Sequence, residues 1–161
     1  MKHSDLNLYK EKGEKIACLT AYDASMAKLI DDCGVDVVLI GDSLGMVIQG
    51  HKNTRSVNMQ DMLYHTEIVA NSCQQALVIA DMPFQSYDSS ELALINAQNL
   101  VNAGADMVKI EGGQEHEEVF RVLSSNNINI CGHLGLQPQK VTESSEYKIQ
   151  GKDENSAELI L

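Results

Sequence analysis

Nowhere in the 161 residues does an apolar run approach the ~18 needed to cross a membrane, so no membrane partner is expected. Residues 1–13 are polar and lack the apolar centre of a secretory signal. Cys18, Cys33, Cys73 and Cys131 are widely spaced, with no C-x-x-C pair and no neighbouring pair of His or Cys. Reduced, buried thiols are therefore expected rather than disulfides or a zinc centre, and the set of absences points to the cytoplasm. Basic residues are also short: 12 Lys and Arg against 23 Asp and Glu leave a net charge of −11. That balance argues against nucleic acid, which needs a basic surface. There is no G-K-[ST] sequence, and Gly41-x-x-x-Gly45 is too short for a phosphate-cradling nucleotide loop.

The chain does contain one pattern, written three times. Val37-Val38-Leu39-Ile40 is a short β-branched run that breaks into Gly41-Asp42-Ser43. Leu77-Val78-Ile79-Ala80 breaks into Asp81-Met82-Pro83, and Met107-Val108-Lys109-Ile110 into Glu111-Gly112-Gly113. Runs of this kind read as strands buried on both faces of a parallel sheet. Each one delivers a carboxylate to the carboxyl edge, where α/β proteins build their sites.

The rest of the chain fits between these strands. A lead-in over 1–13, with room for one short helix, precedes a strand at 15–20 and a helix from 21–23 to about 33. Strands follow at 35–40, 76–80, 106–110 and 128–131, with helices at 59–72, from 87–91 to 102–104, and at 114–126. Residues 42–58 read as a long loop, 137–151 as mostly loop, and 153–161 as the start of another helix. Gly34-Val35-Asp36 and Gly104-Ala105-Asp106 open two strands in matching register. Strict alternation of strand and helix implies right-handed crossovers and a parallel sheet. The expected architecture is one domain over 1–161 covering about five units of a (β/α)8 TIM barrel, which in full needs roughly 250 residues. A five-stranded doubly wound sheet is the alternative.

Asp42, Asp81 and Glu111 offer only oxygen, a donor set suited to a hard divalent cation such as Mg²⁺. Each acid alone reads first as a helix cap or a solvent-facing group, whereas three in succession favour a shared site. Lys109 and Glu111 alternate onto the same strand face. A lysine there must meet an anion, either one of the acids or a small carboxylate or enolate ligand. His133, between glycines after the fifth strand, and Tyr22, after the first, are candidate site groups or rim packing. Ser43 could cap a helix or bind a carboxylate. His51, His65 and His116 are expected at the surface.

Taken together, these segments resemble ketopantoate hydroxymethyltransferase. The resemblance rests on Leu39-Ile40-Gly41-Asp42-Ser43-Leu44-Gly45-Met46 with Gln49-Gly50-His51, and on Leu19-Thr20-Ala21-Tyr22-Asp23. Tyr64-His65-Thr66, Ala80-Asp81-Met82-Pro83-Phe84 and 107–113 agree, as do Gly132-His133-Leu134-Gly135-Leu136 and Tyr147-Lys148-Ile149-Gln150-Gly151. The match runs in order from about residue 15 to 151.

The resemblance implies a TIM-barrel enzyme of pantothenate and coenzyme A biosynthesis. Such enzymes carry a hydroxymethyl group from 5,10-methylenetetrahydrofolate to the keto acid 3-methyl-2-oxobutanoate through a Mg²⁺-stabilised enolate. It assigns Asp42, Asp81 and Glu111 to the metal, and Tyr22, Asp42, Ser43, Asp81, Lys109 and His133 to the substrate. Lys109 and His133 become its catalytic groups, and the intact enzyme is expected to be a homo-oligomer. The family's general base is a Glu on a later strand, absent from this sequence, so the chain alone is expected to be inactive or poorly folded. Glu146 replaces a common Gly and is expected to alter its loop. Two other readings remain: a phosphoenolpyruvate mutase or lyase type of Mg²⁺-enolate enzyme, and a non-catalytic remnant that binds a partner subunit.

Overall fold

In the computed structural model, which describes residues 4–141, 147–158 and 160, five strands lie in one sheet in strict chain order. They are β1 (Cys18–Thr20), β2 (Val37–Ile40), β3 (Leu77–Asp81), β4 (Met107–Glu111) and β5 (Ile130–His133), and every pairing is parallel. The helices are α1 (Asp5–Lys12), α2 (Ala24–Asp32), α3 (Leu44–Val47), α4 (Met59–Ala70), α5 (Ser90–Asn102), α6 (Glu117–Ser125) and α7 (Glu154–Glu158). A doubly wound sheet must reverse strand order at a switch point. This order never reverses, so right-handed crossovers carry every connecting helix to the same side, as in a barrel.

The strand residues divide accordingly. Val38, Ile40, Val78, Ala80, Val108 and Ile110 pack outward into one core with the helices. Alanines 27, 93 and 97 on α2 and α5 are fully buried in that core, and their small side chains let helix approach sheet closely. Val37, Leu77, Ile79 and Met107 form a second cluster on the opposite, concave face. Leu6 of α1 packs against that cluster, while Asp5 and Tyr9 of the same helix lie beside the segments that lead into β2 and β3.

Local chemistry sets the register. Gly34 and Gly104 take φ of 75° and 108° after their helices, a left-handed region that favours glycine. The Asp two residues later then acts as a strand clip. Asp36 Oδ2 accepts from the Ala17 amide at 2.8 Å, and Asp106 Oδ2 from the Val78 amide at 2.9 Å. The matching sequences are thus matching devices, each tying a strand start to its neighbour. Asp31, buried at the end of α2, accepts from the amides of Gln74, Gln75 and Ala76 and so fixes where β3 begins.

Three expectations need correction. The segment 42–58 is not one loop, because α3 and a 3₁₀ turn at Thr54–Ser56 fold it back under Gly45. Cys18 and Cys33 are exposed rather than buried, β1 being an edge strand with all three residues exposed. Cys73 and Cys131 are half-buried, and all four thiols are free. His65 and His116 are half-buried, not surface groups: His65 Nδ1 meets the Tyr22 carbonyl at 2.7 Å, and His116 packs edge-on against Tyr87. Glu146 lies outside the described residues. No helix among the described residues is long and apolar enough to cross a membrane.

Candidate active site

Asp81 and Glu111 are the last residues of β3 and β4, His133 is the last of β5, and Asp42 sits two residues beyond β2. Side-chain alternation turns Asp81, Lys109, Glu111 and His133 away from the helix layer and toward the concave face. Asp42, Asp81 and Glu111 are each only 3% exposed, at the edge where the sequence pattern expected them.

The contacts are specific. Lys109 Nζ pairs with Asp81 Oδ1 at 2.6 Å. The other Asp81 oxygen accepts from the Asp42 amide at 3.1 Å. His133 Nδ1 meets Glu111 Oε1 at 3.1 Å, so the tautomer with the proton on Nδ1 suits the pair. The Tyr22 hydroxyl and Ser43 Oγ lie 2.8 Å apart. Gly41 faces the same space: a Cβ there would come 3.6 Å from Asp81 Oδ2 and 3.7 Å from the Tyr22 hydroxyl. The missing side chain keeps that space open.

Negative charge exceeds positive in this enclosure. Burial, and then the Asp81 charge, push the Asp42 carboxyl up to about 7 from its ordinary 3.8, although Gln139 donates to it. Burial opposes the charged form of Lys109, but the Asp81 and Glu111 carboxylates outweigh it and hold the ammonium above its ordinary value. Lys109 is therefore a fixed cation among three acids.

Sequence reasoning missed Gln139, which is 2% exposed and sits at the centre. Its Nε2 donates to Asp42 Oδ2 at 2.8 Å and to the Met82 carbonyl at 2.9 Å, and its backbone amide donates to Glu111 Oε2 at 3.0 Å. Tyr87 donates its hydroxyl proton to Gln139 Oε1 at 2.6 Å. Arg55 stacks 3.8 Å over the Phe84 ring and donates to the Gln139 carbonyl at 3.0 Å. Gln139 stands between Asp42 and Glu111, while Asp81 meets Lys109 and the Asp42 amide. Among the described residues no three His, Cys, Asp or Glu side chains form a direct metal cluster.

A singly wound parallel sheet with buried acids and a lysine at its carboxyl edge defines the class: a segment of a (β/α)8-barrel enzyme. Solved structures agree on the fold. Oxaloacetate acetylhydrolase superposes with a TM-score of 0.62 at 14% identity, over 80% of this chain and 50% of that one. For 2,3-dimethylmalate lyase, a PEP mutase/isocitrate lyase superfamily member, the TM-score is 0.58 at 15% identity, over 80% and 51%. The ketopantoate hydroxymethyltransferase family model matches residues 1–161, and the chain belongs to that family. It is 58% identical over 156 residues to the 3-methyl-2-oxobutanoate hydroxymethyltransferase of Vesicomyosocius okutanii, and 51% identical over 154 to that of Methylococcus capsulatus. Those alignments take in 97% and 95% of this chain but 60% and 57% of the relatives, so the chain spans about 60% of their length.

Proposed function

We propose that this chain supplies the keto-acid end of an enzyme that transfers a hydroxymethyl group from 5,10-methylenetetrahydrofolate to 3-methyl-2-oxobutanoate, giving 2-dehydropantoate. The carrying observation is the buried set of Asp42, Asp81 and Glu111 around Lys109, in a chain matched throughout by the family. We read the compartment as cytoplasmic and the intact enzyme as a homo-oligomer.

The donor set fits Mg²⁺. It is all oxygen and carries more negative than positive charge, Asp42, Asp81 and Glu111 against Lys109. Magnesium keeps several waters and takes one or two carboxylates directly. Asp42 and Asp81 are the direct candidates. Glu111, held at both oxygens by His133 and the Gln139 amide, would act directly or through water. When bound, such an ion polarises the keto oxygen and acidifies the neighbouring C–H.

The chain's own groups do the remaining work. Lys109 can turn from Asp81 toward the substrate and oppose the negative charge that builds as the α-proton leaves. Ser43 and Tyr22 place two hydroxyls where a substrate carboxylate can accept from them. His133, held at Nδ1 by Glu111, keeps Nε2 for a ligand.

Calorimetry with 3-methyl-2-oxobutanoate tests the reading. Binding to the 161-residue chain should require Mg²⁺ and be lost in Asp81→Asn. Equal binding in EDTA, or equal affinity for a 2-methylmalate-type ligand, would refute it.

A further inference from the structure

We propose that Gln139 is a positioning residue for the acid pair Asp42 and Glu111: its side chain and backbone aim the two carboxylates, and Tyr87 fixes which way its amide points. This rests on the metal reading above and extends it to residues on the loop after β5. Gln139 and Glu111 are 28 residues apart, and Gln139 and Asp42 are 97 apart, so the loop closes a long-range link.

The hydrogen-bond inventory decides the assignment. The Met82 carbonyl can only accept, so the Gln139 atom facing it, which also lies 2.8 Å from Asp42 Oδ2, must be the NH₂ group. Its oxygen then faces Tyr87, whose one proton serves the 2.6 Å contact rather than the longer 3.3 Å approach to the Glu111 carbonyl. A flipped amide would set oxygen against carboxylate. The Tyr87 hydroxyl therefore acts as the lock on the amide.

The consequence is directional. With Oδ2 held by Gln139, Asp42 presents Oδ1 as its free acceptor. With Oε2 held by the Gln139 backbone and Oε1 by His133, Glu111 has its plane set. The loop is pinned from both sides, by Arg55 on the Gln139 carbonyl and by a 2.7 Å Lys140–Glu115 ion pair. These braces touch neither Asp42 nor Asp81. Gln139 is thus the member of the braced loop that reaches the acids.

A double-mutant cycle on metal affinity tests this in the 161-residue chain, with Mn²⁺ alone as the calorimetric probe and folding checked by circular dichroism. Gln139→Leu should weaken Mn²⁺ binding by about 10- to 100-fold, the range for groups that orient metal ligands. Tyr87→Phe, which keeps its ring packing and loses one hydrogen bond, should weaken it about 2- to 10-fold. The double variant should be no weaker than Gln139→Leu, since the lock has nothing left to hold. A purely structural role would lower the unfolding midpoint and leave the affinity of the folded chain unchanged. Unchanged affinity in folded Gln139→Leu, or additive losses in the pair, would overturn the proposal. Should Gln139→Leu not fold, Tyr87→Phe alone decides, unchanged affinity counting against. If the parent chain binds no Mn²⁺, the metal reading falls and this one with it; if the parent binds and the variants match it, only this one falls.

Discussion

Replacing Lys109 by Met would remove the one cation paired inside a buried set of three acids while keeping the volume of its stem. Its side chain is 15% exposed and that of its partner Asp81 is 5% exposed, so the pair is little screened by solvent. Removing one member of such a pair strands the other and costs 3–5 kcal/mol in well-buried cases. The residual exposure of Lys109 argues for the lower end, about 3 kcal/mol. For a domain of this size that lowers the unfolding midpoint by about 6–12 °C. The acids hold Lys109 above its ordinary 10.5, so its contribution is complete below that pH and is lost only as pH rises through the higher folded value. The titration of Lys109 itself therefore adds no pH dependence to the gap between parent and variant from about pH 6 to 9. Mg²⁺ should raise the midpoint of the variant more than that of the parent, because it replaces the missing charge. Thermal unfolding by circular dichroism, with and without Mg²⁺, measures all of this. A loss below about 1 kcal/mol, or an equal Mg²⁺ effect on both proteins, would refute the charge-balance reasoning.

Other outcomes follow from the same geometry. In EDTA, the native chain should keep a proton on Asp42 up to about pH 7, where the unfolded chain has lost it near 3.8. Stability should then fall as pH rises across that window, by at most about 4 kcal/mol, and Asp42→Asn should flatten the profile in urea titrations. Gly104→Ala places a Cβ 2.5 Å from the Ala70 Cβ at a φ of 108°, so a loss of about 2–3 kcal/mol is expected from the same titrations.

What could be read beforehand was what local rules encode. Gly34 and Gly104 end helices for steric reasons visible in the sequence, and the β-branched runs after them can only be buried strands. Strand periodicity placed Lys109 and Glu111 on one face before any coordinates did. Asp42, Asp81 and Glu111 were legible because each follows such a run. Gln139 was not: it sits in a short 3₁₀ turn, Pro138–Lys140, with no periodicity, and its partners come from β2, β3 and β4. Arg55 was hidden likewise, since its role depends on Phe84 and the Gln139 carbonyl meeting it in space. The half-burial of His65 could not be seen locally either, as its partner is the Tyr22 carbonyl 43 residues away. The exposed thiol of Cys18 follows from the edge position of β1, a property of the sheet rather than of the strand.

The central claim is that the oxygens at the ends of β2, β3 and β4 serve one divalent cation beside Lys109. Crystals of the chain soaked in Mn²⁺ and 3-methyl-2-oxobutanoate test it most directly through the anomalous scattering of manganese. The account predicts a single peak about 2 Å from an oxygen of Asp42 or Asp81, with Glu111 bound directly or one water away and the keto acid between the ion and Lys109. A peak on another face, or no peak at saturating Mn²⁺, would contradict it.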